Sequence, residues 1–277
     1  MGTLYLVATP IGNLEDISAR ALRILHQARL IAAEDTRQTG KLLKRYAIET
    51  PLTSYHEHSK VGKIDHILAA LEQGDIALVS DAGTPGLNDP GYDLVRAALE
   101  AGHTVSPIPG PSAPIAALVA SGLPTDTFLY LGYLPRKSVE RRRLLAEIAG
   151  LPYTLIFLES PHRLLPALGD VESVLGDRQV AVARELTKMF EEIFRGPVSA
   201  ARGHFGQQAP RGEFTLVVGG ASREKEIWTE DRLRSALKAA QESGETPSQA
   251  ASRLAGEAGW PRRTVYRILT AMEGKDE

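Results

Sequence analysis

The hydrophobic residues of this chain fall into short apolar runs that alternate with segments of helical periodicity, a pattern typical of α/β proteins. The most distinctive run is Ile76–Val79, which is followed by Ser80, Asp81 and a loop rich in Gly and Pro that ends at Gly91. An unbroken apolar run of this length predicts a buried parallel strand. Because ligands of open α/β sheets bind at the carboxyl ends of strands, residues 80–91, the central loop, are a candidate binding loop. The plain alternative is a tight turn, which needs fewer Gly and Pro residues.

The first half of the chain repeats the order of strand, loop and helix. Apolar runs predict further strands at Leu4–Ala8, Leu30–Ala33 and Thr104–Ile108. Helical periodicity predicts helices that end near Gln27 and Tyr46, and further helices over Lys60–Gln73 and Tyr92–Glu100. A second Gly/Pro loop, at residues 109–111, leads into a helix that Ser112 is placed to cap. Two such loops would line one crevice.

The pattern restarts near residues 122–124, which predicts a domain boundary there. Strands are predicted at Phe128–Gly132, Thr154–Glu159, Val180–Arg184, Glu192–Arg195 and Glu213–Val218, and helices at Glu140–Ile148, Pro161–Leu175 and Val198–Gln207. Residues 188–197 suggest a hairpin and therefore a mixed sheet. Beyond a polar linker, helices are predicted at Asp231–Glu242, Pro247–Ala258 and Pro261–Met272. We therefore expect two α/β domains, residues 1–121 and 122–222, and a small all-α, helix-turn-helix-like tail, residues 227–277.

Composition narrows the functional classes. The 277 residues are 43% hydrophobic and 24% charged, as in ordinary globular proteins. The formal net charge of -2 means that any nucleic-acid partner would be met by a local basic patch. Cysteine is missing from the sequence, which excludes disulfides, thiolate metal sites and a cysteine nucleophile. Because the start has no basic targeting segment and no apolar run reaches membrane-spanning length, we expect a cytoplasmic protein without a membrane partner.

Seven motifs, taken together in their order along the chain, carry a resemblance to a known family. They are LVATPIGNLEDIS, AEDTR, SDAGTPGLNDPG, PGPSA, LESPHR, RELTKMFEE and GEFTLVV. The chain resembles the tetrapyrrole methylase superfamily over essentially its whole length, and within it the branch that methylates small-subunit ribosomal RNA. The resemblance implies S-adenosylmethionine, bound between two α/β domains, and methyl transfer to the 2'-hydroxyl of a cytidine in 16S rRNA. We also expect a homodimer whose substrate is 16S rRNA within the small ribosomal subunit.

The resemblance also implies a set of cofactor contacts. Residues 81–84 would touch the methionine and ribose parts of the cofactor, the two residues after the second Gly/Pro loop would flank it, and the second domain would close its adenine side. The expected contacts are Pro10, Asp81, Ala82, Gly83, Thr84, Ser112, Ala113, Pro161, Glu213 and Thr215. For Glu213–Val218 a plain core strand is an equally good interpretation.

The chemistry requires a group that positions the ribose or takes the proton of its 2'-hydroxyl. Four ionisable residues follow the carboxyl ends of predicted strands, namely Glu34, Asp35, Glu185 and Lys188. Lys188 would act as a base only if burial or a neighbouring cation lowered its pKa. Ion pairing at the rim of the sheet is the alternative for each of them. The pair His56 and His58 invites a metal site, but a third ligand at helical spacing is missing, so we expect no metal.

Two basic segments are candidates for RNA contact. Residues 136–143 hold five cations against one acid, and a tail helix rich in arginine follows a Gly-containing turn as in helix-turn-helix proteins. The predicted RNA contacts are Arg37, Arg136, Lys137, Arg141, Arg142, Arg143, Arg262, Arg263 and Arg267. The alternatives are a solvated helix face for the first segment and a helical bundle that packs on the body or a partner subunit for the tail.

Three functions from different classes remain at this point: an rRNA ribose methyltransferase, a small-molecule methyltransferase acting on a tetrapyrrole, and a nucleic-acid-binding protein without catalysis. The tetrapyrrole alternative predicts neither the basic run nor the basic tail. A nucleic-acid-binding protein without catalysis would not need the two Gly/Pro loops. Both observations favour the first.

Overall fold

A computed structural model describes residues 2–56, 61–221 and 228–273. The chain divides into two compact units, Met1–Ala221 and Ser222–Glu277. The first unit contains two five-stranded sheets with helices, and the described part of the second contains three helices. The predicted α/β class with a helical tail is thereby confirmed.

The first sheet is entirely parallel. Its strands are β1 (Thr3–Val7), β2 (Leu30–Ala33), β3 (Leu52–Ser54), β4 (Ile76–Val79) and β5 (Thr104–Ile108), in the order β3-β2-β4-β1-β5. The accompanying helices are α1 (Ala19–Gln27), α2 (Thr36–Arg45), α3 (Val61–Leu71), α4 (Tyr92–Glu100) and α5 (Ala113–Ser121). All four residues of β4 are buried, and they alternate between the cores on the two faces of the sheet. A strand covered on both faces needs an unbroken apolar sequence, which is the pattern that predicted it.

Strand β3 was not predicted. It has three half-buried residues at the edge of the sheet, so it carries neither an apolar run nor a clear alternation.

The second sheet is mixed, as predicted. Its strands are β6 (Phe128–Tyr133), β7 (Thr154–Glu159), β8 (Gln179–Arg184), β9 (Glu192–Pro197) and β10 (Phe214–Val218), in the order β6-β7-β10-β8-β9. Only β6 and β7 pair in parallel. Its helices are α6 (Ser138–Ile148), α7 (Leu164–Leu175) and α8 (Val198–Phe205). The predicted hairpin is present and is formed by β8 and β9. Its first strand lies before residue 188, so the predicted start of the hairpin was wrong.

Helix α5 follows the last strand of the first sheet but packs on the second. Ala117 and Leu118 form one buried cluster with Ile156, Ala181 and Val217 of the second sheet. The other face of that sheet is covered by α6, α7 and α8. Because α5 directly follows β5 in the chain, its packing ties the end of the first sheet to the second sheet.

The second unit has its own core. Helices α9 (Glu230–Glu242), α10 (Pro247–Ala258) and α11 (Arg262–Glu273) bury a common set of apolar side chains that includes Leu233, Leu254 and Leu269. Gly259 ends α10 in the left-handed conformation, with φ of 70°, and Trp260 donates its indole N–H to the carbonyl of Trp228 at 2.8 Å. Within the described ranges, none of the helices is both long enough and apolar enough to span a membrane.

Candidate functional site

A cleft of about 320 Å³ lies where the carboxyl-end loops of the first sheet face the second sheet. The first sheet contributes Ile11, Glu34, Asp81–Thr84, Leu87–Asp89 and Ser112–Pro114. The second sheet contributes Tyr130, Tyr133, Leu158, Glu159 and Glu213–Thr215. We call this space the central cleft.

Backbone contacts fix the central loop in place. Gly83 has φ of +79°, a conformation that a residue with a side chain adopts only with strain. Its N–H donates to the carbonyl of Thr9 at 3.0 Å, and the N–H of Thr9 donates to the carbonyl of Gly83 at 2.8 Å. Thr84 donates its hydroxyl to the carbonyl of Pro111 at 3.2 Å. The loops after β1, β4 and β5 are thus bonded into one wall of the cleft.

Carboxylates brace the same wall. The backbone N–H of Asp81 donates to Oε2 of Glu34 at 3.2 Å, and Oδ1 of Asp81 accepts the backbone N–H of Asp35 at 2.9 Å. Burial, together with the charge of Glu34, raises the pKa of Asp89 to about 6, although a hydrogen bond with Ser80 acts to lower it. The wall therefore concentrates negative charge, which suits a cationic ligand.

The opposite wall supplies tyrosine and glutamate. Burial, and next the charge of Tyr133, raises the pKa of Tyr130 to about 12. Its hydroxyl is buried and has no hydrogen-bond partner in the part of the chain that the structure describes. Glu159 is 2% exposed and accepts the N–H of Ser160 at 2.8 Å and Nη2 of Arg163 at 3.2 Å. Buried polar groups normally have a hydrogen-bond partner, so a buried phenol that lacks one beside a polar cleft indicates a ligand-binding site.

Eight of the ten predicted cofactor contacts line the central cleft, namely Asp81, Ala82, Gly83, Thr84, Ser112, Ala113, Glu213 and Thr215. Pro10 lines a neighbouring pocket instead, and Pro161 begins a short 3-10 turn that does not contribute to the cleft lining. Glu213 precedes β10, a wholly buried central strand, so this segment serves as core and as cleft wall together. Tyr130 and Tyr133 were not predicted as site residues, because an aromatic residue in a strand normally indicates only packing.

The structure separates the four predicted catalytic residues. Glu34 lines the central cleft, whereas Asp35, Glu185 and Lys188 do not. Asp35 caps α2 and pairs with Arg37 at 2.6 Å, and its side-chain hydrogen bond with Arg37 lowers its pKa to about 2. A carboxylate held this way is a poor proton acceptor near neutral pH.

Glu185 and Lys188 form an ion-paired group at the rim. Oε1 of Glu185 accepts the N–H of Glu213 at 2.9 Å and Nζ of Lys188 at 3.0 Å, and Nζ also lies 3.1 Å from Oε2 of Glu213. Burial lowers the pKa of Lys188, but the hydrogen bonds to the two carboxylates outweigh it and raise the pKa above its usual value. Lys188 therefore does not meet the condition stated for it as a base.

The turn that carries this group also contacts the first sheet. Thr187 has φ of 66°, and its hydroxyl accepts the backbone N–H of Asn13 at 3.1 Å. A Cβ at Gly12 would lie 2.4 Å from Cγ of Lys188. This contact explains why the loop after β1 has a glycine here, because a side chain would force the turn of residues 186–188 to move.

The basic run of residues 136–143 is not uniform. Arg141 is 3% exposed, and its Nε donates to Oδ2 of Asp170 at 2.7 Å while Nη1 donates to the carbonyl of Pro135 at 3.1 Å. The prediction that Arg141 contacts RNA was wrong, because helical periodicity turns this one arginine of the run toward α7 and burial keeps it from reaching a phosphate. The exposed cations are Arg136, Lys137, Arg142 and Arg143.

The other predicted RNA contacts lie at the surface. The side chain of Arg37 is 87% exposed although it pairs with Asp35. Arg262, Arg263 and Arg267 are exposed on α11. Of the two histidines, His58 lies outside the described residues, and no group of three or more possible metal ligands occurs in the ranges the structure covers.

Residues 3–202 match the family described as Tetrapyrrole (Corrin/Porphyrin) Methylases. The chain belongs to this family. This confirms the resemblance inferred from the seven motifs. A crystal structure of uroporphyrin-III C-methyltransferase from Thermus thermophilus, 22% identical, covers 80% of this chain and 96% of its own with a TM-score of 0.54, which shows the shared fold.

Two curated relatives share far more sequence. A protein of Synechocystis sp., named ribosomal RNA small subunit methyltransferase I, is 49% identical over 276 residues, 99% of each chain. A protein of the same name from Thermotoga maritima is 48% identical over 221 residues, which are 79% of this chain but 99% of the relative. About a fifth of this chain therefore has no counterpart in the second relative.

Family membership makes the chain a methyltransferase, and S-adenosylmethionine is the methyl donor of the family. The central cleft fits such a group, because it has an acidic wall for a sulfonium cation and a buried phenol that has no hydrogen-bond partner among the described residues.

Proposed function

We propose that this protein methylates the 2'-hydroxyl of a cytidine in 16S ribosomal RNA, with S-adenosylmethionine as methyl donor. The observation that carries the proposal is similarity at 49% identity, over 99% of both chains, to a protein named for methylation of small-subunit ribosomal RNA. The central cleft and the exposed basic side chains support it, because the reaction needs a cofactor site and a surface that binds the negatively charged RNA backbone.

The central cleft is our proposed cofactor site. Asp81–Thr84 and Ser112–Ala113 would hold the amino-acid and ribose parts, and Glu213 and Thr215 would lie on the adenine side. Pro10 and Pro161 would support the site from outside its lining. When bound, S-adenosylmethionine supplies an electrophilic methyl group on a sulfonium. The acidic wall would favour that charge.

The chain's own part in the chemistry is to place the ribose and take up a proton. Glu34 and Asp89 line the cleft, and with a pKa of about 6, Asp89 can accept a proton near neutral pH. We assign proton removal to this pair. Asp35, Glu185 and Lys188 are proposed to position the loops, through the contacts of Asp35 with Asp81 and of Lys188 with Glu213.

RNA contact is assigned to the exposed cations of residues 136–143, to Arg37 and to the three arginines of α11. We also propose that the protein acts in the cytoplasm as a homodimer on the assembled small subunit. The test is a comparison of 16S rRNA from cells with and without this gene. A 2'-O-methyl group protects the following phosphodiester from alkali, so one protected cytidine should vanish when the gene is deleted. An unchanged alkaline pattern would refute the proposal.

A further inference from the structure

A second pocket, of about 240 Å³, lies beside the central cleft. It is formed by the ends of β1 and β4, the turn after β1 and one face of α2, and its lining includes Thr9, Pro10, Thr39, Lys41 and Asp81. Asp81 lines both spaces, so the pocket and the central cleft meet at this residue. A group in this side pocket would be next to a ligand in the cleft.

Thr39 lines the side pocket and carries an unsatisfied hydroxyl. It is 4% exposed, and its Oγ1 is buried with no hydrogen-bond partner among the residues that the structure describes. Leaving a buried hydroxyl unpaired costs about 1–3 kcal/mol, so such a group normally has a partner. A hydroxyl can both donate and accept, which suits a sugar hydroxyl or a base edge.

The rest of the lining has the chemistry of a nucleotide site. Pro10, Leu14 and Leu42 offer apolar surface to a base or sugar. Nζ of Lys41 donates to Oε1 of Gln38 at 3.0 Å, and an ammonium has two further hydrogens for a phosphate. The volume is just below the range of about 300–1,000 Å³ that holds drug-sized ligands, which fits one nucleoside better than a macrocycle.

We propose that the side pocket holds the acceptor nucleotide of the RNA, with its ribose toward Asp81, a hydrogen bond to Thr39 and a phosphate near Lys41. The inference rests on the proposed function, since it names where that reaction's acceptor binds. It assigns substrate recognition to Gln38, Thr39 and Lys41, three residues of one helix that do not line the central cleft.

Two variants and one control test it in the full-length protein. Thr39→Val removes the hydroxyl and keeps the shape. Lys41→Ala removes the cation. Lys44→Ala removes an exposed cation of the same helix that does not line the side pocket. The acceptor is the small ribosomal subunit from cells lacking this gene, at saturating S-adenosylmethionine, and calorimetry gives the cofactor Kd.

We expect Thr39→Val to lower kcat/KM for the acceptor about tenfold, the effect of one lost hydrogen bond. Its melting temperature should stay level or rise, because an unpaired hydroxyl is removed, and the cofactor Kd should stay within about twofold of the wild-type value. Lys41→Ala should raise KM and flatten the salt dependence by about one phosphate contact, a slope change of ~0.7–0.9. Lys44→Ala should match the wild type.

Unchanged acceptor kinetics in both pocket variants, with an active wild type, would overturn the side-pocket assignment while the proposed function stands. Weakened cofactor binding in both would also overturn it, since the pocket would then belong to the cofactor. A wild type that transfers no methyl group to the subunits would defeat the proposed function and this inference together.

Discussion

The environment of each acidic side chain, more than its type, sets what it can do in the cleft. Asp35 and Asp89 are the same residue, yet the hydrogen bond with Arg37 brings the pKa of the first to about 2, and burial raises that of the second to about 6. The sequence placed Glu34 and Asp35 together after β2 but could not show that one faces the cleft and the other caps a helix. These two residues are neighbours in sequence, so a shift of one position along the chain would exchange their roles.

Gly83→Val should weaken binding of S-adenosylhomocysteine at least tenfold, because valine at φ of +79° would distort the central loop. Gly102→Val is the matched control. Gly102 has φ of +82° and open space around it, and it precedes the amino end of β5, whereas the central cleft lies at the carboxyl ends of the strands. Both variants should lose about 1–2 kcal/mol of stability from backbone strain. Calorimetry that finds equal affinities in the two folded variants would contradict the site.

The raised pKa of Asp89 makes stability depend on pH. The folded state holds this proton more tightly than the unfolded state, so the stability contribution of Asp89 is lost as pH rises from about 4 through about 6. Asp89→Asn cannot ionise and should be more stable than the wild type at pH 7.5, by up to about 3 kcal/mol.

Thermal unfolding between pH 4 and 8 measures the difference, which should shrink toward zero near pH 4. The exposed Asp126→Asn serves as control. A stability gain that does not vary with pH would show that Asp89 ionises normally.

At the scale of elements, some strands with continuous apolar sequence were predicted with the bounds that the structure shows. Examples are Leu30–Ala33 and Thr154–Glu159, whereas β1, β8 and β10 were predicted with ends that differ by one residue. Edge strand β3 was not predicted, because its three half-buried residues carry no periodicity. That β8 is the first strand of the hairpin was not predicted either, because pairing depends on residues that are distant in sequence. The sequence could not predict that α5 packs on the second sheet, since its small apolar residues suit any buried face.

Arg141→Ala should destabilise the first unit by about 3–5 kcal/mol, because it leaves the carboxylate of Asp170 without its cation in a contact that joins α6 to α7, and among the described residues only the hydroxyl of Ser138 would still bond it. Arg142→Ala, at the exposed neighbour, should cost less than about 0.5 kcal/mol. Denaturant unfolding compares the two. Equal losses would mean that the buried ion pair does not hold these helices together.

At the scale of the whole molecule, the proposed RNA contact depends on local positive charge, since the chain carries a formal net charge of -2. Replacing Arg136, Arg142 and Arg143 by Gln should flatten the salt dependence of RNA binding by up to about three contacts, at ~0.7–0.9 units of slope each. A triple Gln variant of the exposed Arg20, Arg23 and Arg96, on α1 and α4, is the control. An equal change in both variants would indicate a general charge effect.

The tail is a separable unit with its own core. Deleting residues 222–277 should leave the first unit folded with unchanged cofactor affinity, and should weaken RNA capture through loss of Arg262, Arg263 and Arg267. Filter binding to small subunits measures capture. Unchanged affinity and salt response would assign the tail to another role.

Reconstitution tests the central claim most directly. The purified protein, S-adenosylmethionine and small subunits from cells lacking this gene are combined, and the 16S rRNA is digested to nucleosides for mass spectrometry. We predict one 2'-O-methylcytidine per 16S rRNA, and far less with Gly83→Val under subsaturating cofactor. A methyl group on a base carbon or nitrogen, or no transfer at all, would contradict the account.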